Sequence, residues 1–161
     1  MPTRNGPGTI ASAIFLMALA AAGAVVAHLV RENPLPLDYT WSDRVALNAQ
    51  AKGMRTVDVD EARRIVESFS HVVLDARREL DYQAGRLPGA MSLPTDDFDL
   101  HLPMVATLLT PDQPILVYCS GLECDESLKL GEILIASGYT NITLFAGGMT
   151  AWTAAQLPVE R

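Results

Sequence analysis

The sequence predicts an α/β fold with a mainly parallel central sheet flanked by helices, preceded by one apolar N-terminal helix. Three short apolar runs containing β-branched residues predict strands that are buried on both faces. These runs are residues 72–74, 115–118 and 142–145. Helical patterns alternate with them, and this alternation is typical of parallel sheets, whose strands need long crossover connections.

The other predicted elements follow from local patterns. Val57 and Val59 suggest a short strand, and residues 60–66 predict a helix whose first turn is acidic, as the helix dipole favours. Residues 127–137 carry apolar side chains at helical spacing, and Gly138 after them is a favoured helix C-cap. A last helix is expected over residues 149–155.

The chain is predicted to have three parts. Residues 1–30 form a transmembrane anchor or signal peptide, residues 31–55 a linker, and residues 56–161 the folded domain. Pro34 and Pro36 disfavour helix in the linker. Within it, residues 42–52 could form a short helix.

The N-terminal apolar segment predicts membrane attachment. Residues 9–30 contain no Asp, Glu, Lys or Arg, and a helix of this length would cross a hydrocarbon core about 30 Å thick. A cleaved signal peptide is the alternative, because residues 22–24 resemble a small-x-small cleavage site. The apolar run is longer than a usual signal peptide needs, which favours an uncleaved anchor. We therefore expect a single-pass membrane protein whose domain is periplasmic or extracytoplasmic.

Composition excludes several function classes. The net charge of −7 disfavours nucleic-acid binding, which depends on clustered Lys and Arg. Two cysteines are too few for a disulfide scaffold or a four-thiolate zinc site. The sequence has no glycine-rich phosphate loop in the required context. No cofactor and no metal are predicted.

Two residues with possible chemistry follow predicted strands. Ligands bind at the carboxyl ends of parallel strands, where Asp75 and Cys119 lie. A thiol between such a strand and the next helix faces loop amides and the positive end of the helix dipole, which favour the nucleophilic thiolate. A buried cysteine can also be a small apolar residue of the core. Position alone leaves both interpretations open.

Four motifs, in the correct order over residues 56–158, resemble those of the rhodanese (sulfurtransferase) domain family. Residues 72–77, with Glu79 and Tyr82, resemble its strand-end segment, and residues 115–119 its catalytic strand. Residues 85–90 resemble its Gly-His-Ile-Pro-Gly-Ala turn, with Arg86 where His is usual. Residues 147–152 resemble its terminal Gly-Gly…Trp motif.

The resemblance implies that Cys119 takes a sulfane sulfur as a persulfide and passes it to a nucleophile. The partners would be a sulfur donor and a thiol or protein acceptor. Asp75 and Arg77 would hold the active-site loop in place rather than perform chemistry. Backbone N–H groups of that loop would cradle the sulfur or an attached anion; its residues are Ser120, Gly121, Leu122, Glu123, Cys124, Asp125 and Glu126.

The loop departs from the family pattern in its charge. Thiosulfate-using members usually carry Arg or Lys there, whereas this loop is acidic and the first base is Lys129. Carboxylates should repel an anionic donor, so efficient transfer from thiosulfate is not expected. Phosphatases of the same fold use a C-x5-R loop; Asp125 occupies the Arg position here, which excludes that function.

Three functions remain after these exclusions. The first is a membrane-anchored rhodanese-type sulfurtransferase with a persulfide on Cys119. The second is a non-catalytic rhodanese-like binding module tethered to a membrane complex. The third is a thiol–disulfide redox element, in which Cys124 forms a disulfide with Cys119 or resolves its persulfide. Cys124 could equally be a second thiol that faces the core.

Overall fold

The computed structural model describes residues 7–30, 41–121 and 124–161. The chain divides into two units, residues 1–39 and residues 40–161. In the first unit, helix α1 extends over Pro7–Val30. Its described side chains are exposed.

The membrane prediction is not supported by α1. A helix that crosses the hydrocarbon core needs about 20 consecutive apolar residues. Among the described residues, no helix is both long and apolar enough to cross a membrane. The predicted single-pass membrane localisation through residues 9–30, with a periplasmic or extracytoplasmic domain, is wrong by this criterion.

The second unit is built on a five-stranded sheet in which every pairing is parallel. The strand order is β1-β5-β4-β2-β3. The predicted α/β fold with a parallel sheet is confirmed. In chain order the elements are α2 Trp41–Ala51, β1 Arg55–Thr56, α3 Val59–Ser68, β2 Val72–Asp75, α4 Glu79–Ala84, β3 Met91–Ser92, α5 Phe98–Ala106, β4 Ile115–Tyr118, α6 Glu126–Ala136, β5 Ile142–Phe145 and α7 Gly148–Ala154.

Alternate residues of the central strands supply two separate apolar cores, one on each face of the sheet. In β4, Ile115 and Val117 pack with α2, α5 and α6, whereas Leu116 and Tyr118 pack with α3 and α7. All four side chains are fully buried. A strand directs successive side chains to opposite faces, so a strand covered by helices on both sides must be apolar throughout.

The start of α3 differs from the sequence prediction. The short strand ends at Thr56, and Val59 already belongs to the helix. Asp58 between them is the N-cap, because its Oδ1 accepts a hydrogen bond of 2.8 Å from the backbone N–H of Glu61. Such a cap satisfies one of the free N–H groups of the first turn. The helix therefore begins one residue earlier than its acidic turn suggested.

Helix α2 packs against the sheet, although residues 31–55 were predicted to be a linker. Val45, Ala49 and Met54 are buried in the same core as α6. The second unit accordingly begins before the predicted domain boundary at residue 56. The first ten residues of the predicted linker, 31–40, lie outside the described residues.

Arg86, which stands where the rhodanese motif usually has His, holds the C-terminal segment of the chain through an isolated β-bridge. Its backbone pairs with that of Glu160 through two hydrogen bonds of 3.0 Å, and its Nη2 donates to Glu160 Oε1 at 2.6 Å. The guanidinium also lies 4.7 Å from the ring centre of Tyr82. A hydrogen bond from the Gly89 N–H, together with Arg86, lowers the pKa of Glu160 below its ordinary value. Arg86 thus has a structural role in this chain.

Candidate active site

The candidate site lies at the carboxyl end of the two central strands. In the parallel pairing of β2 with β4, Asp75 is opposite Tyr118. Cys119 therefore begins its loop beside Asp75. The sheet register alone brings together the two strand ends that the sequence singled out.

Asp75 is the centre of a buried polar network. It has no exposed surface, and Arg77 donates to its carboxylate from Nε at 2.9 Å and from Nη2 at 2.6 Å. The hydroxyl of Tyr118 donates to the same carboxylate. Arg77 Nη2 also reaches the carbonyl oxygen of Gly85 at 2.7 Å. The network joins the end of β2 to the turn at Gly85 and to Tyr118, the residue before Cys119. These contacts are of the kind that hold the segments beside Cys119 in position.

The charges of this network stabilise one another. Burial acts to lower the pKa of Arg77, but the hydrogen bonds and the charge of Asp75 outweigh it and raise that pKa above its ordinary value. Burial and the Asp75 carboxylate raise the pKa of the Tyr118 hydroxyl far above its ordinary value. Tyr118 therefore stays protonated and can donate to Asp75 at any physiological pH.

Cys119 and Cys124 form a disulfide within the loop. Their Cα atoms are 6.6 Å apart, within the normal range for such bonds. Cys119 has no exposed surface and Cys124 is 8% exposed. The hydroxyl of Ser127 donates a hydrogen bond of 3.3 Å to Cys119 Sγ. A donor in this position would stabilise negative charge on that sulfur.

Helix α7 fixes the backbone of the loop. The N–H of Met149 donates to the Cys119 carbonyl at 2.9 Å, and the N–H of Thr150 donates to the Ser120 carbonyl at 2.9 Å. The Thr150 hydroxyl reaches the Ser120 carbonyl as well, at 2.7 Å. These bonds hold both carbonyls towards α7. The terminal Gly-Gly motif thus serves to bring α7 against the loop.

The remaining loop residues are only partly described. The backbone N–H groups of Ser120 and Gly121 donate no hydrogen bond to another described residue, as a cradle for a sulfur or an anion requires. Leu122 and Glu123 lie outside the described residues. Asp125 accepts a bond of 2.9 Å from Lys129.

Glu126 gives this site a third group that could bind a metal. Its carboxylate and the sulfurs of Cys119 and Cys124 lie within 4.8 Å of one another. Zinc binds cysteine as the thiolate, and a disulfide offers none. In this oxidised state the cluster is a disulfide with an adjacent carboxylate.

Sequence reasoning missed three contributors to the site. Tyr118 was identified only as a strand residue, yet its hydroxyl is bonded to Asp75 and accepts the N–H of Leu87 at 3.2 Å. Ser127 was identified only as a helix start. Arg44 of α2 lines a cavity of about 160 Å³ with Asp125. The sequence offered one signal for Ser127. It is a polar residue in the first turn of a helix, at a position that the helical pattern places towards the core.

A family model describes this architecture. The model of the Rhodanese-like domain matches residues 58–155. A chloroplastic rhodanese-like domain-containing protein 14 of Arabidopsis thaliana is 26% identical over 148 residues, covering 68% of this chain and 66% of that protein. A tRNA uridine(34) hydroxylase of Photorhabdus laumondii is 27% identical over 93 residues, covering 56% of this chain and 26% of that protein. The chain thus spans at most about two thirds of the length of either relative.

Solved structures share the fold. A thiosulfate sulfurtransferase of Pseudomonas aeruginosa superimposes with a TM-score of 0.58 at 24% identity, covering 74% of this chain and 22% of that one. A human single-domain sulfurtransferase superimposes with a TM-score of 0.55 at 21% identity, covering 63% of this chain and 97% of that one. At these identities the likeness concerns the fold alone. Because the family model matches more than half of its residues, the chain belongs to the family of rhodanese-like domain proteins.

Proposed function

We propose that this protein is a rhodanese-type sulfurtransferase that carries sulfane sulfur as a persulfide on Cys119. The observation that supports this most is the position of Cys119 in the family fold. Its sulfur lies at the end of β4 and accepts a hydrogen bond from Ser127, and the N–H groups of Ser120 and Gly121 in the same loop donate to no other residue that the structure describes. A protein that shares this fold is a thiosulfate sulfurtransferase, so the fold is compatible with the sulfur transfer that we propose.

The proposed reaction has two steps and starts from the reduced loop. The Cys119 thiolate attacks the sulfane sulfur of a donor, an S–S bond forms to Cys119, and the rest of the donor leaves with the electron pair. A nucleophilic acceptor then attacks the outer sulfur, and Cys119 leaves as a thiolate. The Ser127 hydroxyl would stabilise the thiolate at the start and at the end of this cycle.

An assay of sulfur transfer tests the proposal. The full chain, reduced beforehand, is supplied with polysulfide as donor and cyanide as acceptor, and thiocyanate is measured. Cyanide also reacts with polysulfide directly, so the rate without protein is subtracted; we expect Cys119→Ser to abolish the remaining, protein-dependent thiocyanate formation and Cys124→Ser to retain it. Undiminished turnover by Cys119→Ser would contradict the proposal.

A thiol–disulfide redox element is the second candidate, because the two cysteines are joined in the structure. Redox cycling needs both thiols, whereas transfer to cyanide needs Cys119 alone. The same two variants therefore separate the candidates. If oxidant-dependent thiol exchange requires both cysteines and neither variant forms thiocyanate faster than the mixture without protein, the redox function is correct.

The acidic loop supports a donor other than thiosulfate. Neutralising Glu123 and Asp125, to Gln and Asn, removes the carboxylates expected to repel an anion, so kcat/KM with thiosulfate should rise several-fold. A matched control neutralises Glu67 and Asp112, which are exposed and lie away from the loop. Equal values for both double variants would show that local repulsion does not limit thiosulfate use.

A further inference from the structure

We propose that Cys124 is a resolving thiol. It attacks the persulfide on Cys119, releases the sulfane sulfur as hydrosulfide, and leaves the Cys119–Cys124 disulfide. This inference rests on the proposed function, because it starts from a persulfide on Cys119. It adds an activity, the reduction of bound sulfur to hydrosulfide, for which the acceptor is built into the loop.

The disulfide places the second thiol within reach of the first. Cys119 directly follows β4, and Cys124 lies two residues before α6. Both anchors belong to the same sheet-and-helix framework, and their Cα atoms are 6.6 Å apart with the bond closed. An attack inside one short loop avoids the entropy cost of bringing in a separate molecule. Cys124 therefore competes well with any external thiol.

The burial of both cysteines also favours attack by Cys124 over attack by a thiol from solution. Cys119 has no exposed surface and Cys124 is 8% exposed. A bulky thiol from solution would need to open the loop before it could reach the inner sulfur of a persulfide on Cys119. Cys124 is already inside the loop.

Glu126 is suited to accept the proton that the attack sets free. Its carboxylate contacts the Cys124 sulfur and lies within 4.8 Å of both sulfurs. Only a thiolate attacks a sulfur–sulfur bond efficiently, so a base beside Cys124 would speed the attack. Ser127, on the other side, donates to Cys119 Sγ.

The step balances without a further reactant. The Cys124 thiol gives its proton to Glu126, and its sulfur attacks the inner sulfur of the Cys119 persulfide. The bond between the inner and outer sulfurs breaks, and the outer sulfur leaves as hydrosulfide with the electron pair. The sulfane sulfur is reduced by two electrons, and the two cysteines are oxidised to the disulfide. A thiol or dithiol reductant from solution then reopens the disulfide for another cycle.

A single-turnover experiment tests the step. The reduced full chain is loaded with polysulfide, freed of excess donor, and kept without reductant while intact mass and released hydrosulfide are followed. We expect about one equivalent of hydrosulfide, while the mass changes from that of the persulfide to that of the disulfide. Cys124→Ser should stay loaded and release hydrosulfide at least about tenfold more slowly.

Glu126→Gln tests the role of the carboxylate. It should load like the unaltered chain but release hydrosulfide more slowly near neutral pH, and the deficit should shrink as rising pH ionises Cys124 directly. Glu132→Gln is the matched control, since Glu132 lies on the same helix and its side chain is 39% exposed. It should release hydrosulfide at the unaltered rate. A Glu126→Gln variant that releases hydrosulfide at the unaltered rate at every pH would show that Glu126 does not accept the proton.

The single-turnover experiment distinguishes failure of the proposed sulfur transfer from failure of the resolving role of Cys124. If neither the unaltered chain nor Cys124→Ser gains sulfur, and no hydrosulfide is released, the proposed function fails, and this inference fails with it. If the chain loads but stays loaded, or if Cys124→Ser releases hydrosulfide as fast as the unaltered chain, only the resolving role is overturned. Cys124→Ala serves as a second variant should Cys124→Ser disturb loading.

Discussion

Replacing Asp75 by Ala is expected to lower the free energy of unfolding by about 3–5 kcal/mol, the cost of leaving one partner of a buried ion pair uncompensated. Arg77 is only 8% exposed, and without Asp75 its charge would keep the Gly85 carbonyl and the face of the Tyr118 ring but no carboxylate among the described residues. Tyr118 would lose the acceptor of its hydroxyl as well. Urea unfolding at neutral pH measures the loss.

Removal of an exposed ion pair is the control for the Asp75 variant. Asp81 pairs with Arg78 at 3.4 Å, and both side chains are well exposed. Asp81→Ala should therefore cost less than about 1 kcal/mol. Replacing Asp75 and Arg77 together by Leu and Met should recover part of the loss, because no uncompensated charge remains. Similar losses for Asp75→Ala and Asp81→Ala would contradict the importance of the buried network.

Gly148→Ala is expected to cost about 2–5 kcal/mol and to slow sulfur loading of Cys119. Gly148 has a φ of +53°, and a Cβ there would lie 2.2 Å from the Cys119 carbonyl oxygen. The left-handed backbone costs an alanine about 1–2 kcal/mol, and the clash adds about 1–3 kcal/mol of overpacking. Since the clash is with the loop itself, α7 must move away from Cys119. Urea unfolding and the rate of persulfide formation measure the two effects.

Gly53→Ala separates backbone strain from the clash. Gly53 has a φ of +80°, and a Cβ there would have no neighbour within 4 Å. Gly53→Ala should lower the free energy of unfolding only by the backbone strain, about 1–2 kcal/mol. The variant should load sulfur normally. If both variants lose the same stability, the close approach of Gly148 to the loop has no energetic role.

The sheet could be predicted from the sequence because its signal is local. Strands β2, β4 and β5 are buried on both faces, so each is a continuous apolar run that needs no knowledge of its neighbours. Parallel strands then place Asp75 and Cys119 at one edge. The short edge strand β3 has two residues and was not predicted, because so short a segment has no period to detect.

Interactions between distant segments could not be predicted. The pairing of Arg86 with Glu160 joins residues far apart in sequence, and nothing local to Arg86 indicates it. Helix α2 follows a proline-rich stretch and was assigned to a linker, although tertiary packing buries Val45 and Ala49. The membrane placement of residues 9–30 was wrong because it was inferred from composition. The disulfide was left open, since spacing alone does not fix whether two thiols meet.

The claim that Cys119 carries the sulfane sulfur is tested most directly by the intact mass of the reduced Cys124→Ser chain before and after polysulfide, with the added sulfur located by peptide mapping. We expect a gain of one sulfur atom on the peptide that contains Cys119, and no gain when Cys119 is replaced by Ser. An unchanged mass under polysulfide, or a sulfur that still appears in Cys119→Ser, would contradict the claim that Cys119 carries the sulfane sulfur.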